Sequence, residues 1–493
     1  MKKLLPAAVC AALAGVNGAQ AVHVNSDGKG QVLLYPYYTV ENFQDTYINL
    51  VNTTDETKAV KIRILESMNS QEVLDFNLYM SPKDHWSAVI TRDDAGGASL
   101  TSADTSCTVP LAVSAGQTIP FRRFEFTQDS VNGIERTREG YVEVIEMGVV
   151  TDASLQAAIE HNTSVGSPGF GVPADCAELD TQWSSGQWSQ DADFGMTAPS
   201  GGLYGYGVLI DVPRGTDATY DAVAIDNWFD SLFAVSAHSE PGDLLPNLGE
   251  GSSDYNVFDQ GGVVSGTADN GWDAVSAVLM QGSISNDYVL EPSLDAGTDW
   301  VVTFPTKRQY VNQGSDPLPP FTSVWNPETS SACETFDIFY WDREEYSPQT
   351  PPSENDFSPL PPPGEIQTFS FCHEANVLTF NNSNVLAASD RTGVNLNLES
   401  EPVAFNNGWA DVSFLIDANP SAEGPRVLDA GGTLFGGLPA IGFAVQRYVN
   451  GDVLIDIDEC DDDVCIEPPI ATPTIRANYA GSVTHKGERL IAD

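Results

Sequence analysis

The densest group of metal-binding side chains lies at residues 456–465 (DIDECDDDVC). Carboxylates held this close repel one another unless a cation lies between them, and Ca²⁺ takes about six to eight oxygen ligands in flexible loops. The spacing does not fit an EF-hand loop, which needs a glycine at its sixth position. The stretch predicts a Ca²⁺ site, with a solvated acidic loop as the alternative. The candidate ligands are Asp456, Asp458, Glu459, Asp461, Asp462 and Asp463.

A second group of interest is aromatic. Trp183 and Trp188 lie close to Asp191 and Asp193, and together they would line a sugar-binding groove, because aromatic faces stack on sugar rings. A packed loop is the alternative. Glycoside hydrolases need only two carboxylates beside the scissile bond. With 69 acidic residues in the chain, that requirement is met too easily to be informative.

The sequence has no compact catalytic signature among the motifs that we searched. It contains no H-E-x-x-H metal motif, no G-x-S-x-G nucleophile elbow and no P-loop. The six histidines are scattered along the chain, and none lies two or four residues from another. We therefore predict no catalytic residue, and the balance favours a protein that is not an enzyme.

Six cysteines follow the first 21 residues, namely Cys107, Cys176, Cys333, Cys372, Cys460 and Cys465. An even number in an exported chain indicates disulfides formed in an oxidising compartment. Six cysteines allow 15 pairings, and the sequence alone leaves the choice open. Our hypothesis is that neighbours pair (107–176, 333–372 and 460–465), because each pair frames a plausible loop. Zinc is disfavoured because no C-x₂-C spacing is present.

Residues 1–21 have the pattern of a secretory signal: two lysines, an apolar run over 4–16, and small residues that end at Ala21. We expect cleavage after Ala21 and export to the periplasm, the cell surface or the extracellular space. The apolar run is too short to span a bilayer, and no transmembrane helix is expected elsewhere. Removing the two lysines takes the formal charge from −47 to −49. Such a charge disfavours nucleic acid as a partner.

Hydrophobic residues make up 41% of the chain and aromatic residues 10%, which is enough for a real core. In one segment Val60, Ile62 and Ile64 alternate with Lys61 and Arg63, which predicts one buried face and one solvent face of a strand. Repeated short strands predict antiparallel β-sandwich domains of immunoglobulin-like type, with long disulfide-stapled loops and a few short helices. The strands predicted in this first region are 31–39, 46–52, 59–66, 72–80 and 85–90.

The sequence predicts two β domains after the signal, 22–312 and 313–493. The first carries an insertion at about 95–200. Apolar residues at helical spacing predict a helix over 218–236. The Pro-rich stretch 343–364 is predicted to be the loop of a hairpin that Cys333 and Cys372 staple at its base, with a domain linker as the alternative.

Three blocks, 30–90 (containing GQVLLYPYYT and TYINLVNTTDETKAVKIRILE), 297–311 (GTDWVVTFPTKRQYV) and 477–493 (ANYAGSVTHKGERLIAD), resemble an uncharacterised family of secreted proteobacterial envelope or surface proteins. The resemblance spans essentially the whole chain and implies a full-length exported unit of a Gram-negative bacterium. It carries over no binding or catalytic residue. The first block is also similar to bacterial immunoglobulin-like modules.

These observations predict a non-enzymatic secreted or cell-surface protein with a structural, adhesive or matrix role. Its expected partners are other envelope or extracellular components, or further copies of itself. The alternative is a secreted glycan-binding protein or a carboxylate-dependent glycoside hydrolase. A groove with two carboxylates about 5–10 Å apart beside Trp183 or Trp188 would favour the alternative. A flat surface with exposed sheet edges would favour adhesion.

Overall fold

The computed structural model describes residues 21–232, 234–259, 261–312, 314–348, 369–398, 404–415, 426–454 and 474–492. Three sequence predictions fall outside these residues. They are the export signal up to residue 20, the greater part of the 343–364 loop, and the Ca²⁺ stretch 456–463 with the pair Cys460 and Cys465. Each of them stays a prediction.

The described chain is mainly β, as predicted. The strands of its N-terminal half are β1 (His23–Val24), β2 (Val32–Thr39), β3 (Gln44–Asn52), β4 (Lys58–Glu66), β5 (Glu72–Met80), β6 (His85–Arg92), β7 (Ala98–Thr101), β8 (Cys107–Val109), β9 (Ile119–Pro120), β10 (Glu139–Val150), β11 (Met196–Thr197), β12 (Leu203–Asp211), β13 (Thr216–Asp221), β14 (Val223–Asp226), β15 (Asp254–Asp259) and β16 (Gly262–Thr267). Short helices follow or separate the strands: α1 (Ala153–Ile159), α2 (Cys176–Ser184), α3 (Gly271–Leu279) and α4 (Lys307–Val311).

The later strands are β17 (Met280–Gln281), β18 (Ser283–Val289), β19 (Gly297–Thr303), β20 (Glu334–Asp342), β21 (Phe369–Phe371), β22 (Ala375–Phe380), β23 (Gly393–Leu396), β24 (Asn407–Ser413), β25 (Val427–Ala430), β26 (Thr433–Gly436), β27 (Leu438–Pro439), β28 (Ile441–Leu454), β29 (Thr474–Thr484), β30 (Lys486–Glu488) and β31 (Leu490–Ala492). Neighbouring strands pair antiparallel, except that β23 runs parallel to β22.

Two large sheets form the first sandwich. One has the order β1-β14-β2-β10-β4-β5-β8, with β11 paired to β10, and the other has the order β13-β12-β3-β6-β7-β9. Alternate side chains of β3, β4 and β6, among them Ile48, Ile62 and Trp86, point into one shared core. The sandwich architecture therefore rests on the period-two pattern seen in the sequence.

The second pair of sheets has the orders β21-β20-β24-β18-β30 and β23-β22-β19-β28-β29. Trp300 of β19, Phe380 of β22 and Tyr288 of β18 pack between the two sheets. β18 and β19 precede residue 312, so sheet pairing crosses the position at which the sequence analysis placed a domain boundary. The predicted domain limits themselves stay a prediction, as does the immunoglobulin-like resemblance.

Two of the three predicted disulfides are confirmed. Cys107 bonds to Cys176, and Cys333 bonds to Cys372. The second bond staples the open end of β20 and β21, which pair antiparallel. The hairpin loop 343–364 itself stays a prediction.

The helix predicted over residues 218–236 was wrong. The first part of that range forms β13 and β14. In β13 the side chains alternate between buried and exposed, with Ala218 and Tyr220 inside. Antiparallel pairing of β13 with β12 satisfies its backbone groups, so tertiary pairing overrides the apolar positions that matched a helical period.

Candidate functional site

Trp183 and Trp188 lie in an aromatic cluster over the outer face of the first large sheet. The Trp188 ring stacks on Tyr79 with ring centroids 5.3 Å apart, and the Trp183 indole Nε1 donates a hydrogen bond of 2.9 Å to the Tyr79 hydroxyl. His238 Nδ1 donates to the Ala192 carbonyl at 2.7 Å, and the Tyr79 hydroxyl lies 2.9 Å from His238 Nε2. Burial lowers the pKa of His238 to about 4, so this ring is neutral near pH 7.

Packing contacts and hydrogen bonds inside the fold hold both indole rings in this cluster. Neither ring lines the cleft described below. The carboxylate of Asp193 accepts a hydrogen bond from the Ser236 hydroxyl. The sugar-binding role assigned to Trp183 and Trp188 from the sequence stays a prediction.

The basic face of β4 is buried, which corrects the expectation that it faces solvent. Lys61 forms an ion pair of 2.7 Å with Asp75 of the adjacent β5. Arg63, on the same face, forms another of 2.5 Å with Glu143 of β10, the neighbouring strand on the other side. Burial of these cations is tolerated because each has a carboxylate partner on a neighbouring strand. Segments from later in the chain cover this face. The period-two pattern predicts which residues share a face of the strand, but not whether another part of the chain packs over that face.

A cleft of about 320 Å³ opens at one end of this charged face. Its floor comes from β4, β5 and β10. Its walls come from the single turn Phe124–Phe126, the loop before residue 248, the start of α3, and the segment 305–312. Ligand pockets in proteins start at about this volume. The side chains that matter for its chemistry are Arg63, Glu72, Glu125, Tyr141, Glu143, Trp272 and Arg308.

Two carboxylates share one guanidinium on the floor of the cleft. Arg63 Nε donates to Glu72 Oε2 at 2.9 Å, and Arg63 Nη1 donates to Glu143 Oε2 at 2.5 Å. Strand register explains the arrangement, because Glu143 of β10 lies directly opposite Arg63. Burial raises the pKa of Glu72 to about 7, and burial also raises the pKa of Glu143 against the attraction of Arg63.

The wall of the cleft contains a second guanidinium with its own partners. Arg308 Nη1 donates to the Ser70 carbonyl at 2.7 Å and lies 3.5 Å from Glu125 Oε2. The Tyr141 hydroxyl bonds to the Ser70 hydroxyl at 2.8 Å and to the Pro305 carbonyl at 3.2 Å. The side chain of Arg308 is 39% exposed, so part of its donor surface faces the opening.

A buried acid lies close to the cleft floor. Glu374 is fully enclosed, and its charge interacts with Lys307, whose Nζ donates to the His373 carbonyl at 3.1 Å. Burial raises the pKa of Glu374 to about 8, in spite of the attraction of Lys307. Burial lowers the pKa of Lys307 to about 8. Both groups are thus shifted toward their neutral forms.

The raised pKa of Glu374 predicts a specific pH dependence of stability. The unfolded chain releases this proton near pH 4.5, whereas the folded chain keeps it up to about pH 8. Stability must therefore fall as the pH rises through that window, by about 1.4 kcal/mol for each pH unit. We expect Glu374→Gln to remove this loss. In urea unfolding, the free energy of unfolding of the variant should therefore rise relative to that of the wild type between pH 5 and pH 8.

The matched control for this measurement is Glu250→Gln, at an exposed glutamate. Its stability should follow that of the wild type at every pH. Parallel stability curves for Glu374→Gln and the wild type would contradict the assignment of a neutral Glu374.

Sequence reasoning identified Arg63 as a strand residue but missed the residues that complete the cleft. Glu143 follows Arg63 by 80 positions, and Arg308 follows Ser70 by 238. The one signal available was the placement of two scarce cations, Lys61 and Arg63, among the apolar residues at the centre of a strand. A cation buried in a strand needs a carboxylate partner, and a chain with 69 acidic and only 22 basic residues can readily supply one.

Within the described ranges, no group of three or more histidine, cysteine, aspartate or glutamate side chains has a metal-binding arrangement. No helix in the same ranges is both long and apolar enough to cross a bilayer. Comparison of the chain with protein-family models, with curated proteins and with solved structures gave no match.

Proposed function

We propose that this chain is a non-enzymatic, exported cell-surface or extracellular protein with an adhesive or matrix role, and that it recognises a neutral saccharide in the cleft of Arg63 and Arg308. Its two described disulfides are compatible with an oxidising compartment. Its partners are then glycans or glycosylated components of the envelope or its surroundings.

One observation supports the choice of ligand: each charged side chain of the cleft lies beside one of opposite charge. Arg63 is bound by Glu72 and Glu143, and Arg308 lies beside Glu125. A ligand with a large net charge would have to break one of these pairs. Sugar hydroxyls carry no charge, and each of them can donate one hydrogen bond and accept others. A cleft of fixed donors and acceptors fits such a ligand, and Trp272 adds an aromatic wall.

The test is binding of immobilised neutral oligosaccharides to the oxidised full-length protein. We expect the wild type to bind at least one of them, and we expect Arg308→Ala to weaken that binding at least tenfold, which corresponds to about 1.4 kcal/mol. Arg122→Ala is the matched control, because Arg122 is an exposed arginine that does not line the cleft. Failure of every neutral glycan to bind, or equal binding by Arg308→Ala, would refute the proposal.

A carboxylate-dependent glycoside hydrolase is the second candidate, and the pKa of Glu72 supports it. A carboxyl with a pKa near 7 suits a general acid, and Glu143 would be the second carboxylate. Binding without hydrolysis is preferred because both carboxylates are held by the same guanidinium and the Glu143 side chain is only 2% exposed. New reducing ends, released from a bound oligosaccharide by the wild type but not by Glu72→Gln, would establish the hydrolase instead.

A further inference from the structure

A second surface shares no lining residue with the cleft and lies on the outer face of the sheet that contains β18, β20 and β24. In β20, Phe336, Ile338 and Tyr340 point into the core, so the alternate residues point outward. We call this outer surface the aromatic–acidic face. It consists of Asp287, Asp337, Phe339, Trp341, Trp409 and Asp411.

Strand register brings these side chains side by side. Trp341 lies opposite Trp409, and their rings stack with centroids 4.1 Å apart and planes 12° from parallel. Asp287 of β18 lies on the other side of Trp409. In the next cross-strand row, Phe339 lies opposite Asp411. Phe339 is 41% exposed and Trp409 is 44% exposed, so large aromatic surface faces solvent between carboxylates.

In the described part of the chain, the carboxylates of this face lack a close ion-pair partner, although the charge of Arg426 acts on Asp337 and Lys486 lies in the same cross-strand row as Asp411, two strands away. Among the described residues, none forms an ion pair with Asp287, Asp337 or Asp411. Asp411 Oδ2 accepts a hydrogen bond of 2.7 Å from the Ser285 hydroxyl. The cleft differs in this respect, because each of its carboxylates lies beside a guanidinium group.

From this geometry we propose that the aromatic–acidic face binds an extended polypeptide segment that presents lysine or arginine side chains. A cation over a tryptophan or phenylalanine face is attracted by the ring, and adjacent carboxylates add to that attraction. Tryptophan is also enriched among the residues that contribute most to binding at protein interfaces. This proposal does not depend on the saccharide cleft, and it adds a protein to the proposed partners of the chain.

The spacing of the face favours a polypeptide over an amine-bearing glycan. Asp337, Phe339 and Trp341 follow one another at every second residue of β20, which places them roughly 6.8 Å apart along the strand. Side chains on one side of an extended peptide repeat at the same distance. A peptide with a basic residue at every second position therefore matches the face along its length.

The probe is a ten-residue peptide in which arginine and serine alternate, titrated into oxidised full-length protein by calorimetry. We expect Trp409→Ser to lower the affinity at least tenfold and Asp411→Asn to lower it several-fold. The controls are Phe43→Ser, which removes an exposed aromatic ring away from both proposed sites, and Asp27→Asn, which removes an exposed acid of the first sandwich. Both controls should bind within twofold of the wild type.

Two further probes make the result decisive. A peptide with citrulline in place of each arginine keeps the shape without the charge, and we expect its binding to be lost. Equal binding of the arginine peptide to wild type, Trp409→Ser and Asp411→Asn would overturn the proposal, because it would show attraction to the net charge alone. A glucosamine oligomer of equal charge that binds more tightly than the peptide, and in a Trp409-dependent manner, would overturn the polypeptide assignment. Near-ultraviolet circular dichroism checks that each variant is folded. If Trp409→Ser is not folded, the comparison of wild type with Asp411→Asn provides the test.

Discussion

Replacing Arg136 with methionine is expected to lower the free energy of unfolding by about 3–5 kcal/mol. Arg136 is almost fully buried, and its guanidinium forms a bidentate pair with Glu66, with Nε–Oε2 and Nη2–Oε1 distances of 2.7 and 2.9 Å. It also donates to Asp129 Oδ2 at 2.6 Å and lies over the Phe126 ring. Methionine fills much of the volume but leaves the buried carboxylate of Glu66 without its cation.

The pH dependence gives this prediction a second readout. Burial alone would raise the pKa of Glu66, but Arg136 and the backbone N–H groups of Gln71 and Met68 hold it below the usual value. In the wild type this group therefore contributes stability above about pH 4.5 and loses it as the pH falls through the folded-state pKa. Without Arg136 the pKa of Glu66 rises, so the loss of unfolding free energy should be larger at pH 7 than at pH 4.

Two variants isolate the cause. Arg136→Met combined with Glu66→Gln should recover part of the loss, because no charge is then left unpaired. Lys83→Met is the exposed control, since its 3.4 Å contact with Asp55 is solvated and should contribute at most about 0.5 kcal/mol. Urea unfolding of all four proteins measures these differences. A loss below about 1 kcal/mol for Arg136→Met would show that the buried pair is not stabilising.

Removing the Cys107–Cys176 bond by a double alanine substitution is expected to cost roughly 4 kcal/mol, because the bond closes a loop over a sequence separation of 69 residues. In the folded state Cys107 lies in β8 at the edge of the large sheet, and Cys176 begins α2. Both cysteines belong to the cluster that contains Trp188, so the bond also anchors the aromatic packing.

The second disulfide supplies the comparison. Cys333–Cys372 closes a separation of 39 residues, so its removal should cost about 0.5 kcal/mol less on the same loop-closure argument. Urea unfolding of the two double variants under oxidising conditions measures both losses. If the Cys107/Cys176 variant unfolds at the same urea concentration as the wild type, the loop-closure argument fails for this protein.

The fold class was predictable because strand formation leaves a local trace. Val60, Ile62 and Ile64 alternate with polar residues, and the structure places these three side chains in one core. Cysteine spacing led to two correct pairings out of many possible ones. The helix predicted over 218–236 failed because apolar residues at several periods overlap there, and only pairing with β12 decides between them.

The amino-acid sequence by itself determined the β class of this protein, its acidic charge, and the cysteine positions that staple it, since each of these depends on composition or on a period of a few residues. Only the tertiary structure decided that Lys61 and Arg63 are buried, that Glu72 and Glu143 meet on one guanidinium, and that Trp341 stacks on Trp409. These contacts depend on strand register and on which sheet covers which face. Residues 63 and 143, or 341 and 409, become neighbours only when distant strands pair, and no short sequence window contains that information.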